Sequence, residues 1–247
     1  MRFPITLKTY MGSILLILAI IGIIKNGVSQ TLPQLLIALA ATIPLDLIIN
    51  YYKEKRFILP DSATISALFI ATALSINQLW YTTLIAGIVA ILSKHIIKIN
   101  DRHIFNPAVF GLFAVILIFK VGIEWWASQI LWIVTIFGVC LMYKMKNYKI
   151  ILSYLITSLV LSTAYLLTKD SLSLKTLFFS INLFFMFFMM VEPMTAPITK
   201  KAKMIFGILV AVLSFLILIF MPRFEPSITA LVLADLFVPL LNKLAKY

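Results

Sequence analysis

Long apolar runs alternate with short polar breaks along the whole chain. Runs of roughly 20 residues suit α-helices that cross a hydrocarbon core of about 30 Å. No long linker separates them, so the pattern predicts one all-α polytopic membrane domain over residues 1–247 with about ten transmembrane helices. The predicted helices cover 11–24, 32–51, 57–77, 79–97, 104–121, 126–143, 149–168, 174–191, 203–221 and 226–243.

Composition supports a membrane protein. Of the 247 residues, 62% are hydrophobic and 12% are charged, whereas soluble domains carry roughly 25% charged residues. The single cysteine, Cys140, lies in an apolar run and can form neither an intrachain disulfide nor a cysteine-ligated cluster by itself. Iron–sulfur chemistry carried by this chain alone is thereby excluded.

The basic residues alternate in density from one break to the next, which predicts the orientation. Sixteen of the 21 Lys and Arg residues fall at the termini and in every second loop. The opposite loops contain Lys25, Lys120, Lys169, Lys175 and Arg223. The positive-inside rule therefore places both termini in the cytoplasm, with anionic lipid headgroups as contacts of the basic loops.

A proline-marked motif occurs twice, 119 residues apart. The sequence FNPAVFGLFAVILIF begins at Phe105, and FEPSITALVLADLFV begins at Phe224. This shift maps the first predicted helix onto the sixth, which predicts repeats over about 11–121 and 126–244. Because each repeat has five helices, the second is expected to be inverted, and such repeats commonly enclose a site near the membrane midplane.

Two acidic residues, Asp46 and Asp235, fall within apolar runs, where an ionised side chain costs about 2.5 to 3.5 kcal/mol. One interpretation makes them part of an ion or proton pathway. The other pairs each with a base, hydroxyl or amide of a neighbouring helix. The residues leave both interpretations open.

Further polar groups lie at proline-marked helix starts. Asp61, Ser62 and Thr64 follow Pro60, where a carboxylate also serves as an ordinary helix cap. Glu192 and Thr195 close a very apolar stretch, either as a ligand-binding turn or as a simple helix stop. These five residues are candidate site residues.

The motif Phe105, Asn106 and Pro107 places a donor and acceptor beside aromatic rings, which suits a flat heteroaromatic ligand. The competing interpretation is an Asn N-cap before a proline at the first helical position. His95 and His103 lie among basic residues with no Cys, Asp or Glu at metal-ligand spacing, so no metal site is predicted.

Four segments together resemble a known family. They read DSATISALFIATALS, KHIIKINDRHIFNPAVFGLFAVIL, FFMMVEPMTAPITKKAKMIFGILVAVLSFLI and ALVLADLFVPLLNK. In this order they are similar to the RnfD/NqrB family of membrane proteins, found in Rnf electron-transport complexes and in the sodium-pumping NADH:quinone oxidoreductase, over about residues 40–245. The resemblance implies a ten-helix subunit that binds flavin (FMN or riboflavin) and relays electrons between partner subunits, coupled to sodium or proton movement.

By position, the resemblance makes Phe105, Asn106, Pro107, Asp61, Ser62, Thr64, Glu192 and Thr195 the candidate flavin-site residues. The chain lacks the Ser-Gly-Ala-Thr type segment whose threonine carries covalent FMN in such proteins, because the corresponding connection is only KVGIEWWASQ. Non-covalent flavin is therefore expected, with no covalent attachment at Thr64. Partners would be membrane subunits and cytoplasmic subunits that oxidise NAD(P)H or ferredoxin. The alternative function is a small-solute or ion transporter or channel.

Overall fold

The computed structural model of the chain describes residues 6–55, 59–99, 102–168 and 181–244. It divides into two compact units, residues 1–137 (unit 1) and 138–247 (unit 2). The boundary falls within a helix, α6, that covers Leu131–Met145. The sequence repeat instead placed the division between residues 121 and 126.

Unit 1 is built from helices and one short antiparallel β-hairpin. Its helices are α1 (Leu7–Asn26), α2 (Val28–Glu54), α3 (Asp61–Ala73), α4 (Trp80–Ile96) and α5 (Pro107–Phe119), followed by a 3-10 turn at Trp126–Ser128. Strands β1 (Lys98–Ile99) and β2 (Arg102–His103) form the hairpin between α4 and α5. The hairpin was not predicted, because two-residue strands leave no periodic pattern in the sequence.

Unit 2 contains the remaining helices. They are α7 (Tyr148–Leu167), a π-helical turn at Phe185–Met189, α8 (Lys200–Phe220), α9 (Pro226–Asp235) and α10 (Val238–Leu244). The predicted helix over 174–191 is described only from residue 181 onward, and Lys169 and Lys175 lie outside the described residues. Its described end is the π-helical turn, whose five residues are all buried.

The all-α polytopic membrane class is confirmed, but several helix bounds were wrong. Within the described residues, four helices are long and apolar enough to cross a membrane: α1, α2, α7 and α8. With 13 residues each, α3 and α5 are only about 20 Å long. Pro60 and Pro107 set their starts, and Leu74 and Lys120 leave the helical conformation at their ends. The run predicted over 226–243 breaks at Leu236 and Phe237 into α9 and α10.

Helix α3 is the centre of unit 1. Its residues from Ala63 to Ala73 are buried apart from Thr64, and it packs against α1, α2, α4 and α5. This explains the continuous apolar sequence of α3, which has no polar face to present to water. Small residues allow the other helices to approach closely: a Cβ on Gly87 would lie 2.7 Å from the Cβ of Ala41.

The C-terminal end of α3 is closed by residues from elsewhere in unit 1. The indole nitrogen of Trp126 donates to the carbonyl of Ala71 at 2.7 Å, and the Gln34 amide donates to the same carbonyl at 2.9 Å. The backbone amide of Glu124 donates to Ala73 at 2.9 Å. These bonds satisfy carbonyls that a helix end leaves without intrahelical partners.

In unit 2, α7 packs along α8, and α9 also packs against α8. The closest approach is at Gly207, where an added Cβ would overlap the Ser153 hydroxyl and the Ile150 carbonyl. Asn147, just before α7, donates to the Val191 carbonyl at 3.0 Å and accepts from Lys203 at 2.5 Å. Asn147 therefore ties the starts of α7 and α8 to the turn after the π-helical segment.

Candidate functional site

A buried ionic cluster lies between α2 and α4 in unit 1. Asp46 is 1% exposed. Its Oδ1 is 2.7 Å from Nε2 of His95 and 2.8 Å from Nζ of Lys94, both in the last turn of α4. Its Oδ2 accepts from Asn50 at 3.2 Å. A carboxylate taken out of water is tolerable when basic groups and hydrogen bonds compensate it, which is the arrangement here.

The two ring nitrogens of His95 differ, because one is hydrogen-bonded and the other is not. Because the ionised carboxylate of Asp46 only accepts, Nε2 of His95 is the donor, and in the neutral ring Nδ1 keeps its lone pair. Nδ1 is buried and has no hydrogen-bond partner among the described residues. The site therefore holds one carboxylate, one lysine and an imidazole nitrogen that keeps its lone pair.

This cluster changes the sequence interpretation of His95 and shows which groups pair with Asp46. The sequence places His95 among basic residues with no Cys, Asp or Glu at metal-ligand spacing, yet it is 9% exposed and bonded to a carboxylate from another helix. Of the two interpretations left open for Asp46, the structure shows the pairing with bases of a neighbouring helix, and a place in an ion or proton pathway stays a hypothesis. No group of three potential metal ligands occurs among the described His, Cys, Asp and Glu residues.

Asn106 acts as the N-cap of α5. Its side-chain oxygen accepts from the Val109 amide at 3.2 Å, Pro107 occupies the first helical turn, and the side chain is 1% exposed. Phe105 stacks on Phe110 with ring centroids 4.8 Å apart. The capping interpretation of this turn is therefore confirmed, while contact with a flavin stays a prediction.

The second copy of the motif also caps a helix, in unit 2. The Glu225 carboxylate accepts from the Ile228 amide at 2.6 Å, and Pro226 occupies the first turn of α9. Thus Asn106 and Glu225, equivalent by the sequence repeat, are both caps before a proline. Either side chain provides the acceptor that the first amides of a helix require.

Two other candidate residues, Asp61 and Thr64, line an open groove of about 290 Å³ in unit 1. The other polar side chains along it belong to α1: Lys8, Thr9 and Ser13. The hydroxyls of Ser13 and Thr64 donate to backbone carbonyls, at 2.9 Å and 3.1 Å. Their oxygens still offer lone pairs as acceptors, and Ser62 is half-buried in the same first turn of α3.

The remaining candidates lie in unit 2. Glu192 is half-buried and Thr195 is 5% exposed, both in the turn after the π-helical segment. The carbonyl of Glu192 accepts from the Ala196 amide at 2.9 Å, which closes this turn. Asp235 is fully buried at the end of α9, where the helix breaks.

Sequence reasoning missed three polar residues that the fold uses: Gln34, Glu124 and Trp126. Gln34 and Trp126 close the end of α3, and Glu124 accepts from the Ser75 hydroxyl and the Ile76 amide. A signal for Gln34 was present, since it is an amide inside an apolar run. For Trp126 no local pattern distinguishes it from the exposed Trp132.

The long apolar helices define a multi-pass membrane protein, and its sequence carries a proline-marked motif twice. The family model described as NQR2, RnfD, RnfE matches residues 2–130 and 122–247 of the chain. The chain therefore belongs to the NQR2, RnfD, RnfE family, whose members are membrane subunits of Rnf- and Nqr-type complexes. No curated protein matches the chain.

Proposed function

We propose that the protein is a membrane subunit of a flavin-dependent electron-transport complex. It binds FMN or riboflavin non-covalently and relays electrons through the bilayer, coupled to sodium or proton movement. The observation that carries the proposal is the groove at the start of α3, because it brings Asp61 and Thr64 together with polar residues of α1 in a chain of this family.

The groove suits a flavin in size and chemistry. Its volume of about 290 Å³ is close to the lower end of ligand sites, roughly 300 to 1,000 Å³. It therefore has room for the flat ring, with the side chain of the flavin leaving through the open mouth. Apolar residues of α1, α2 and α3 supply the walls: Leu16, Leu39, Ile65 and Leu68.

Each polar residue has a distinct role at this site. The Asp61 carboxylate accepts from the ring N–H, and the Thr64 and Ser13 oxygens add acceptors along one edge. Lys8 lies where it can pair with a phosphate, which would favour FMN over riboflavin. The ring supplies electron transfer, which these side chains do not perform.

Asn106 contributes by holding the start of α5, with Phe105 and Pro107 fixing the turn. Ser62 supports the first turn of α3. Glu192 and Thr195 remain candidates for a second flavin-contacting turn, in unit 2. No covalent FMN is attached, since the chain has no attachment sequence between α5 and α6.

The buried acids would serve ion or proton movement. In unit 1, Asp46 holds His95 in the tautomer whose Nδ1 presents a lone pair, and Lys94 balances the carboxylate. In unit 2, Asp235 lies at a helix break, where backbone groups become available to an ion.

The partners are the other membrane subunits of the complex and cytoplasmic subunits that oxidise NAD(P)H or ferredoxin. The protein would lie in the cytoplasmic (inner) membrane with both termini in the cytoplasm, as the distribution of Lys and Arg favours.

A visible spectrum of the purified protein tests the proposal. We expect near-stoichiometric flavin that is released by denaturation and bleached reversibly by a reductant. Thr64→Val should lower flavin occupancy several-fold, whereas Thr72→Val, on the same helix but away from the groove, should not. Absence of flavin, with none regained on adding FMN or riboflavin, would overturn it.

A small-solute or ion transporter is the second candidate, and the Asp46, Lys94 and His95 cluster favours it, because buried charges mark ion pathways. Solute or ion flux in liposomes without any redox partner, from a protein that binds no flavin, would select this candidate over the first.

A further inference from the structure

Unit 2 carries a basic surface where α7 and α8 begin. The Nζ of Lys203, in the first turn of α8, donates to the Asn147 side chain at 2.5 Å and is 3.5 Å from the Lys146 carbonyl oxygen. These contacts hold the turn between α6 and α7 beside the start of α8. The lysines of the two segments therefore form one group, called here the lysine surface: Lys144, Lys146, Lys149, Lys200, Lys201 and Lys203.

The protein supplies little negative charge to the lysine surface. Lys146, Lys200 and Lys201 are exposed, and none of them forms an ion pair with a carboxylate in the described part of the chain. The acidic residue closest in sequence to the start of α8 is Glu192, which is half-buried in the preceding turn. One carboxylate cannot balance six lysines, so this surface keeps a net positive charge.

The helix dipoles add to this charge. Lys149 lies in the first turn of α7, and Lys200, Lys201 and Lys203 lie in the first turn of α8. Neither first turn contains an acidic residue. The N-terminus of a helix is the positive end of its dipole, where anions are stabilising and cations are not. An anion held at the lysine surface would compensate both the lysines and the two helix ends.

The corresponding lysines of unit 1 are balanced by the protein itself. Lys53 and Lys94 lie in the last turns of α2 and α4, where the dipole favours a cation. Lys94 pairs with Asp46 at 2.8 Å, and the Lys53 Nζ donates to the His95 carbonyl at 3.3 Å. The inverted repeat predicted from the sequence explains the contrast, because one side of the membrane then meets helix ends of opposite sign.

Exposed apolar side chains border the lysine surface. Met204 and Ile205 follow Lys203 directly on α8, and both are exposed. Tyr143 and Tyr148 flank the turn between α6 and α7 and are also exposed. Tyrosine is typical of the level at which headgroups meet hydrocarbon. The surface therefore fits a ligand with an anionic head and a hydrocarbon tail, whereas a soluble polyanion would leave these apolar side chains uncovered.

We propose that the lysine surface of unit 2 is a saturable binding site for an anionic phospholipid. The ammonium groups of Lys146, Lys200 and Lys201 pair with the headgroup phosphate, and the acyl chains lie along Met204 and Ile205. The positive-inside rule predicts only that every basic loop meets anionic headgroups, whereas this site is confined to unit 2. It requires neither flavin nor electron transfer, so it does not rest on the proposed function.

Thermal unfolding of the purified full chain in dodecyl maltoside tests the site. Dioleoylphosphatidylglycerol is compared with dioleoylphosphatidylcholine, which has the same acyl chains but no net charge. The anionic lipid should raise the unfolding midpoint saturably by about 2 to 4 °C over the zwitterionic lipid. Equal midpoints in the two lipids would overturn the proposal. An equal rise with glycerophosphoglycerol, which lacks acyl chains, would also overturn it and indicate a site for small anions.

Two matched pairs of exposed lysines provide the variant and its control. The double variant Lys146→Gln with Lys201→Gln should raise the half-saturating mole fraction of phosphatidylglycerol about tenfold. The control, Lys55→Gln with Lys98→Gln, removes the same charge from unit 1. Lys55 matches Lys146 because both have a left-handed backbone, with φ of 55° and 53°. The control should keep the half-saturating mole fraction within about twofold. Equal weakening in both proteins would show that overall charge attracts the lipid and would refute the assignment.

Discussion

Asp46 and His95, 49 residues apart in the chain, share a 2.7 Å hydrogen bond in unit 1, and Lys94 holds the same carboxylate oxygen at 2.8 Å. Their positions join the C-terminal halves of α2 and α4. A buried carboxylate with two basic neighbours is costly to disturb, because removal of one partner leaves the other charge uncompensated.

We therefore expect Asp46→Asn to lower the free energy of unfolding by about 3 kcal/mol. Lys94→Met should also destabilise, and the double variant should lose less than the sum of the two, with a coupling of about 1 kcal/mol or more. Unfolding of the four proteins in detergent gives this cycle. Strictly additive losses would show that the two side chains do not stabilise each other.

Removal of either of the two equivalent helix caps should lower the free energy of unfolding by a similar, modest amount. Asn106→Ala and Glu225→Ala should each cost about 0.5 to 2 kcal/mol, because each removes the acceptor of a first-turn amide. Asn106→Ser keeps an acceptor and is the matched control. Thermal unfolding measures these effects, and no loss in either alanine variant would contradict the capping role.

Substitution by alanine should affect stability differently at Gly111 on α5 and at Gly12 on α1. A Cβ on Gly111 would overlap the Ala86 carbonyl of α4, which cannot move without shifting the backbone. Gly111→Ala should therefore destabilise by about 1 to 3 kcal/mol. On Gly12 the nearest atom, Cγ1 of Ile65, would be at an ordinary 3.6 Å, so Gly12→Ala should be neutral or slightly stabilising. Equal effects of the two substitutions on the unfolding midpoint would argue against close packing of α4 and α5.

Trp126 and Trp132 allow the stability contributed by a buried, hydrogen-bonded ring to be compared with that of an exposed ring. Trp126 is 1% exposed and donates to Ala71 at 2.7 Å, whereas Trp132 is 67% exposed. Trp126→Phe should cost about 1 to 3 kcal/mol, since the Ala71 carbonyl keeps only the weaker Gln34 contact and the smaller ring leaves space. Trp132→Phe should change stability by less than about 0.5 kcal/mol. The comparison requires only unfolding midpoints of both variants.

Chemical labelling of introduced cysteines tests the orientation of the chain in the membrane. In a Cys140→Ser background, cysteines at the exposed positions Lys25 and Lys144 lie at opposite predicted sides. An impermeant maleimide should label the Lys25→Cys protein in intact cells and the Lys144→Cys protein only after permeabilisation. The reverse pattern would place the termini outside and contradict the positive-inside prediction.

Local chemistry predicted much of the fold. The apolar runs correspond to helices wherever the chain is described, and the turn before Pro107 is a capped helix start, as one of the two interpretations stated. The bounds of α3 and the break after α9 were missed. Hydropathy continues through Leu74 and Leu236, although the two helices end before these residues, so the apolar pattern alone gives no stop signal there.

The candidate site was predicted only in part. Asp61 and Thr64 share a groove, but the α1 residues that face them were not predicted, because no sequence spacing indicates which helix lies beside α3. Gln34 and Thr83 likewise form part of one cavity although they belong to different helices.

By itself, the sequence determined the membrane class, the two related motifs and, as one of two interpretations, the cap of α5, because each depends on the hydropathy or hydrogen-bonding capacity of consecutive residues. Only the tertiary structure decided that Asp46 meets His95 and Lys94, and that Trp126 closes α3. Such partnerships depend on which helices pack together and at what height, and many sequences with the same apolar runs would pair them differently.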